Sequence, residues 1–234
     1  MRLALKAVKE GLVLVDKVGN VERDGRQRAF ARRLPPERRR LLVLSAALAV
    51  FAEVGYEQAS TTTIAKAAGV TRTVLYHYYA SKQELYLAVL TEQESIMSSY
   101  VTEHIAAQGD SVARILASAM AYLDFANDHP ETWAILLDDT ALADPICATG
   151  RQAIHQAIVD RALDALAGDL DVYSEDSESR QVAMHFMVSG FNGVIRWRRA
   201  HPEVPRDAII EVLVRLFASL SALLATTGGA HQRE

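Results

Sequence analysis

At 234 residues, half of them apolar and 23 % charged, the chain is long enough to bury a core and has the composition of a globular protein. Its one cysteine, Cys147, excludes an internal disulfide framework and suits a reducing cytoplasm, and no apolar run approaches the roughly 20 residues of a bilayer span. The net charge of −4 is unevenly spread: 15 Lys+Arg face 8 Asp+Glu up to Leu90, whereas 10 face 21 from Thr91 onward, so the front end is the one suited to a polyanion.

Residues 1–35 read as a basic arm rather than a domain. The apolar core at 12–15 is too short for a signal peptide, and Lys6, Lys9, Glu10, Asp16 and Lys17 interrupt its surroundings. Gly19-Asn20 and Asp24-Gly25 are turn signals, so 12–21 is a candidate short hairpin. Arg23, Arg26, Arg28, Arg32 and Arg33, with Arg38–Arg40 just beyond, form a cationic stretch available to phosphates.

From Pro36 the chain reads as helices. Leu41, Leu44, Leu48 and Phe51 follow the spacing of one buried helical face, and Gly55 suits the stop. Ser60 is a good N-cap for a short helix over 61–68 whose inward residues are Ile64, Ala65 and Ala68. Gly69 falls where a tight turn needs positive φ. Val70 plugs the inter-helix angle, and Thr71 caps a second helix over 72–79 with Val74 and Leu75 facing inward. This is the physics of a helix-turn-helix, whose second helix can enter the major groove.

The segments Gly55-Tyr56, Ser60-Thr61-Thr62-Thr63-Ile64-Ala65, Ala68-Gly69-Val70-Thr71, Leu75-Tyr76-His77-Tyr78-Tyr79 and Ser81-Lys82-Gln83-Glu84-Leu85 together resemble the DNA-binding head of TetR-family transcriptional regulators. The resemblance covers about residues 36–90; beyond them it is one of length and helical character. It implies an all-α fold: a three-helix DNA-binding head at 36–81, a ligand-binding and dimerisation domain at 82–228, and a tail at 229–234. It implies a dimeric repressor on a near-palindromic operator, released by a small molecule, with no cofactor and no catalysis.

Within the head, Thr71, Arg72 and Thr73 open the recognition helix, where side chains reach base edges. Arg72 suits a bidentate contact to guanine, and Thr73 a thymine methyl or base edge. The resemblance implies that Tyr76 contacts DNA and that Tyr78 and Lys82 contact phosphate. Ser60 and Thr61 can hold a neighbouring phosphate. His77 is equally a contact or an exposed bystander, and Tyr79 is expected in the core.

Further helices are expected at 82–104, 111–127, 131–142, 150–167, 178–200 and 205–225, separated by His129-Pro130, Asp144-Pro145, an acidic stretch at 168–177 and residues 201–204. The last two carry broad apolar arcs and form the expected dimer surface. Ile209, Val212, Leu213, Leu216, Phe217, Leu220, Leu223 and Leu224 lie on one. Met184, Met187, Val188, Phe191 and Ile195 lie on the other, where Ser189, Gly190 and Gly193 permit close approach. Met120, Tyr122, Phe125, Trp133, Leu137, His155, Met184, His185 and Phe191 are the candidate ligand-pocket residues, apolar and adaptable with a few polar handles. They point to a mostly apolar effector; no basic cluster suggests a highly charged one, although Arg151 or Arg180 suits one carboxylate. Asp138, Asp139 and Asp144, with His129, read as a solvated acidic loop rather than a metal site. The alternative function is an all-helical carrier of apolar molecules without sequence-specific DNA binding.

Overall fold

The computed structural model describes residue 31 and residues 34–105, 111–136, 140–166, 168–169 and 176–228. The expected hairpin, the arginines at 23–33, and Leu137, Asp138 and Asp139 lie outside the described residues. Within them the protein is all-α, with no strand. The helices are α1 (Pro36–Gln58), α2 (Thr61–Ala67), α3 (Arg72–Tyr78), α4 (Lys82–His104), α5 (Ser111–Asp128), α6 (Pro130–Leu136), α7 (Pro145–Ala165), α8 (Ser177–Ala200) and α9 (Arg206–Gly228).

They form two compact units. One comprises the described residues up to Glu92 together with those of 131–151; the other comprises the described residues of 93–130 and from 152 on. Helix α4 therefore contributes to both.

In the first unit, α1 buries Val43, Leu44, Ala47, Val50 and Phe51. The buried face is turned from the expected one, since Leu41 and Leu48 are only half-buried. By length and composition α1 would suffice to cross a membrane; its inward face instead makes it the core helix of this unit. Gly55, at φ 76°, breaks α1's helical path as the expected stop. Behind it an aromatic cluster forms: the Phe51 ring meets Tyr86 edge-on at 5.2 Å, and Tyr56 lies 4.8 Å from Tyr86.

The segment expected as one helix over 131–142 is α6, then a 3-10 turn at Thr140–Ala143. Asp144-Pro145, expected to separate helices, starts one. Proline at a first helical position is already set to helical φ, and the Asp144 carboxylate accepts from the Ile146 and Cys147 N–H groups at 2.9 and 3.3 Å. Its other oxygen accepts from the Tyr56 hydroxyl at 3.1 Å and Gln83 Nε2 at 3.0 Å. Asp144 is thus a tie holding α7 to α1 and α4, not part of a solvated acidic loop. Burial pushes this carboxyl up, but the donors from Cys147, Gln83, Ile146 and Tyr56 outweigh it and hold it below the usual carboxylate range.

A carboxyl lowered on folding contributes stability above its unfolded value of about 3.9, and that contribution fades as pH falls through the folded value. Asp144→Asn should therefore melt several degrees below the wild type at pH 7, with the gap closing in acid below about pH 4. Melts followed by circular dichroism across pH 3–8 check this; a gap independent of pH would remove the carboxylate's charge from the account.

The second unit has its own core of Ile115, Val159, Leu166, Met184, Met187, Val188 and Phe217. Helix α8 is capped by Asp176, which accepts from the Ser179 N–H at 2.8 Å.

Candidate nucleic-acid interface and effector cavity

The helix-turn-helix assembles as its local chemistry dictates. Ser60 Oγ accepts from the Thr63 N–H at 3.0 Å and opens α2; Thr71 Oγ1 accepts from the Val74 N–H at 3.3 Å and opens α3. Gly69 between them takes φ 63°, the left-handed region where a Cβ is penalised. Ile64, Ala65, Ala68, Val70, Leu75 and Tyr79 are all buried.

This packing leaves one face of α3 in solvent: Thr71, Arg72, Thr73, Tyr76 and His77 are exposed. Three of the candidate contacts are linked. The Tyr76 hydroxyl lies 3.2 Å from Thr61 Oγ1 and 3.4 Å from Arg72 Nη2, and the guanidinium sits 5.6 Å from the Tyr76 ring centre. Hydrogen bonds from Thr61 and then Arg72 lower the Tyr76 hydroxyl from its ordinary value. An exposed aromatic held by two polar neighbours loses less rotamer freedom when it meets a ligand.

Tyr78 and Lys82 are placed differently. The Tyr78 hydroxyl donates to the Pro36 carbonyl at 3.2 Å. Lys82 Nζ donates to the Glu57 and Ala59 carbonyls at 3.1 and 3.0 Å, and sits 4.3 Å from the Tyr56 ring centre. Lys82 thus closes the chain segment after the Gly55 break. Of Arg38–Arg40, Arg39 donates to the Ala31 and Leu34 carbonyls and Arg40 pairs with Glu37 and Tyr79, whereas Arg38 is exposed.

The second unit holds a small, largely apolar cavity of about 70 Å³, lined by Met97, Val101, Ile158, Met187, Val188 and Phe191 among others. Tyr122 and Met184 also line it. Burial pushes the Tyr122 hydroxyl up, and that hydroxyl donates to Asn192 Oδ1 at 2.8 Å. One ion pair borders the cavity: buried Glu94 accepts from Ser98 Oγ at 2.8 Å and pairs with Arg161, a lining residue, at 3.3 Å.

Of the nine candidate pocket residues, Tyr122, Met184 and Phe191 meet here. Phe125 is a core ring stacked on His129, and Trp133 is buried in the other unit. His155 and His185 face each other at 5.7 Å, with burial and then His185 lowering His155 from its usual range; Met120 is half-buried outside the lining. Arg151, proposed for a carboxylate, donates to the Ile135 and Leu136 carbonyls and the Tyr86 hydroxyl. The sequence reading missed Met97 and Val101, although their i, i+4 spacing on α4 marks a shared face, and Ile105 just past its end.

Residues 43–89 match the family model of bacterial regulatory proteins, tetR family. The HTH-type transcriptional activator FasR of Mycolicibacterium smegmatis is 27% identical over 205 residues, which are 86% of this chain and 93% of FasR. A tetR-family transcriptional regulator from Streptomyces coelicolor superposes with a TM-score of 0.68 at 25% identity, over 83% of this chain and 85% of the other. Bacillus subtilis FadR, a transcriptional regulator solved in complex with stearoyl-CoA, superposes with a TM-score of 0.62 at 16% identity over 79% and 96% of the two chains, a likeness of fold.

Proposed function

The chain belongs to the TetR family of transcriptional regulators, and on that premise we propose that it binds a near-palindromic operator as a dimer and answers to a mostly apolar small molecule. It is a regulator rather than an enzyme. The observation that carries the proposal is the exposed face of α3, where Arg72 and, one turn on, Tyr76 stand coupled to each other and Tyr76 to Thr61. Arg72 offers a fork of donors that matches guanine in the major groove, while Thr71, Thr73 and His77 lie within the same exposed face. Ser60 and Thr61 at the start of α2 suit a phosphate beside it. Tyr78 and Lys82 already hold backbone carbonyls, so they position the head as well as standing near phosphate.

Two heads related by a two-fold axis meet half-sites about 34 Å apart, which is why the operator is expected to be a near-palindrome. The cavity is far below the roughly 300–1,000 Å³ of drug-sized sites, so an effector must push its walls apart. Methionines such as Met97, Met184 and Met187 yield readily. Helix α4 supplies Met97 and Val101 to the cavity and its first turns to the head unit, which makes it the natural lever. An effector favouring another placement of α4 weakens operator binding by its difference in affinity for the two states. FadR shares this architecture and is a regulator solved in complex with stearoyl-CoA, a ligand with a long apolar chain on a charged head.

Repression follows from a dimer that occupies promoter DNA. A second reading, activation, is favoured by one observation: FasR, similar over most of both chains, is an activator. A reporter under the operator, with the protein supplied in increasing amounts, separates the two.

The test of the head uses an operator selected from random duplexes. Arg72→Ala should relax preference at one base pair by about 1–3 kcal/mol, and Tyr76→Ala should weaken binding to every sequence. Normal binding by both variants, with wild-type helicity, would overturn the assignment of α3 to the groove.

A further inference from the structure

A second cavity of the same unit, about 240 Å³, is lined by Arg198, Arg199 and Arg206 together with Asn127, Ile195 and Ile209. These residues come from α5, α8 and α9, so no window of the sequence shows the cluster. Arg206 is neutralised: it donates to both carboxylate oxygens of Asp124, at 2.5 and 2.7 Å. Arg198 and Arg199 are not. Arg198 Nη1 donates to Asn127 Oδ1 at 3.2 Å and Arg199 Nη1 to the Pro130 carbonyl at 3.4 Å, both neutral acceptors. Among the described residues no carboxylate pairs with either.

Arg198 carries a further sign. Its Nε–H is shut off from solvent and meets no acceptor. A buried donor of a charged group without an acceptor is costly, because its water has been removed and nothing replaces it. With Nη1 engaged by Asn127 and Nε enclosed, Nη2 is the donor that Arg198 has left for an anion, beside the Arg199 guanidinium, and charge-assisted contacts of this kind suit a carboxylate or phosphate. Apolar walls from Leu123, Ile195 and Ile209 complete the cavity.

We propose that this cavity is a binding site for a small organic anion, a carboxylate or phosphate attached to a short apolar group, gripped by Arg198 and Arg199. It is separate from the apolar cavity and shares none of its lining residues. Its volume is below the roughly 300–1,000 Å³ of drug-sized sites, which favours a small ligand. Access does not conflict with dimerisation through α8. At about 3.6 residues per turn, Ile195, Arg198 and Arg199 fall on the side of α8 opposite Val182, Phe186, Gly190, Gly193 and Trp197.

The test is titration calorimetry on the full-length protein with inorganic phosphate and, separately, with hexanoate, each against sodium chloride at matched ionic strength. Saturable binding of at least one anion is expected, weakened about tenfold or more in Arg198→Gln and in Arg199→Gln, as loss of charge-assisted contacts predicts. Phosphate binding alone identifies a phosphate-bearing ligand and hexanoate binding alone a carboxylate; each supports the site. Absence of saturable binding by both, at concentrations up to about 10 mM where millimolar affinities register, overturns it. So does binding unchanged in both variants. Arg199 is exposed, so its variant keeps the test open if Arg198→Gln fails to fold. Operator affinity without added anion should match the wild type in Arg199→Gln, which separates this site from the head.

Discussion

Phe186→Asp should turn the protein into a folded monomer whose operator affinity falls by two or more orders of magnitude. Phe186 is 74% exposed in the single chain, on a face of α8 that also presents Val182, Trp197, Gly190 and Gly193. These recur at intervals of four, four, three and four, a continuous stripe along one side of a helix. A Cβ added at Gly190 or Gly193 would meet nothing within 4 Å, so the stripe is open to another surface. On α9, Val212 and Leu216 are likewise exposed. Contiguous apolar surface with small residues suits close helix approach by a second copy.

A carboxylate at its middle would sit unpaired in a dry interface, whereas in the monomer it is solvated, so folding is spared and association is lost. Two linked heads gain on the order of 10²–10⁴ in avidity over one, and that is the size of the expected loss. Sedimentation, gel shift and circular dichroism read the three quantities together. A variant that stays dimeric would place the dimer face elsewhere, and a monomer with wild-type operator binding would dissociate dimerisation from recognition.

Phe51→Ala should cost about 3–5 kcal/mol, the usual range for truncating a fully buried aromatic ring. Phe51 is 1% exposed, and its ring meets Tyr86 edge-on and Tyr56 at 6.1 Å. The lost ring leaves two tyrosines whose hydroxyls are fixed, Tyr56 to Asp144 and Tyr86 to the Ile135 carbonyl, so they cannot collapse into the space freely. Against a typical total of about 5–15 kcal/mol, such a loss threatens the fold of the first unit. Phe51→Leu retains most of the volume and should cost far less. Urea melts of the two variants check this. A Phe51→Ala midpoint within error of the wild type would show that the cluster is not structurally coupled.

Local signals carried the head into view. Ser60 and Thr71 each cap a helix through a backbone N–H three residues on, and Gly69 adopts positive φ because its turn demands it. Each of these acts over a few residues, so the order of residues suffices. Breakers likewise located α4, α5, α8 and α9 to within a few residues. Asp144-Pro145 was misread for the same reason: a proline that ends one helix and a proline that starts one look alike until the carboxylate's partners, Tyr56 and Gln83, are known.

What the chain determined by itself was therefore its helical character, its helix-turn-helix and the exposed face of α3. Tertiary structure alone decided which of two apolar stripes on α8 is core. Met184, Val188 and Ile195, expected on the dimer surface, are buried with the core because residues of α5, α7 and α9 pack on that face, and Val182 and Phe186 are left outward. It alone brought Arg198 and Arg199 to the cavity that Asn127 lines, 71 positions from Arg198. The physical reason is range: caps and turn dihedrals are settled between neighbours, whereas burial and convergent charge depend on which distant helix arrives.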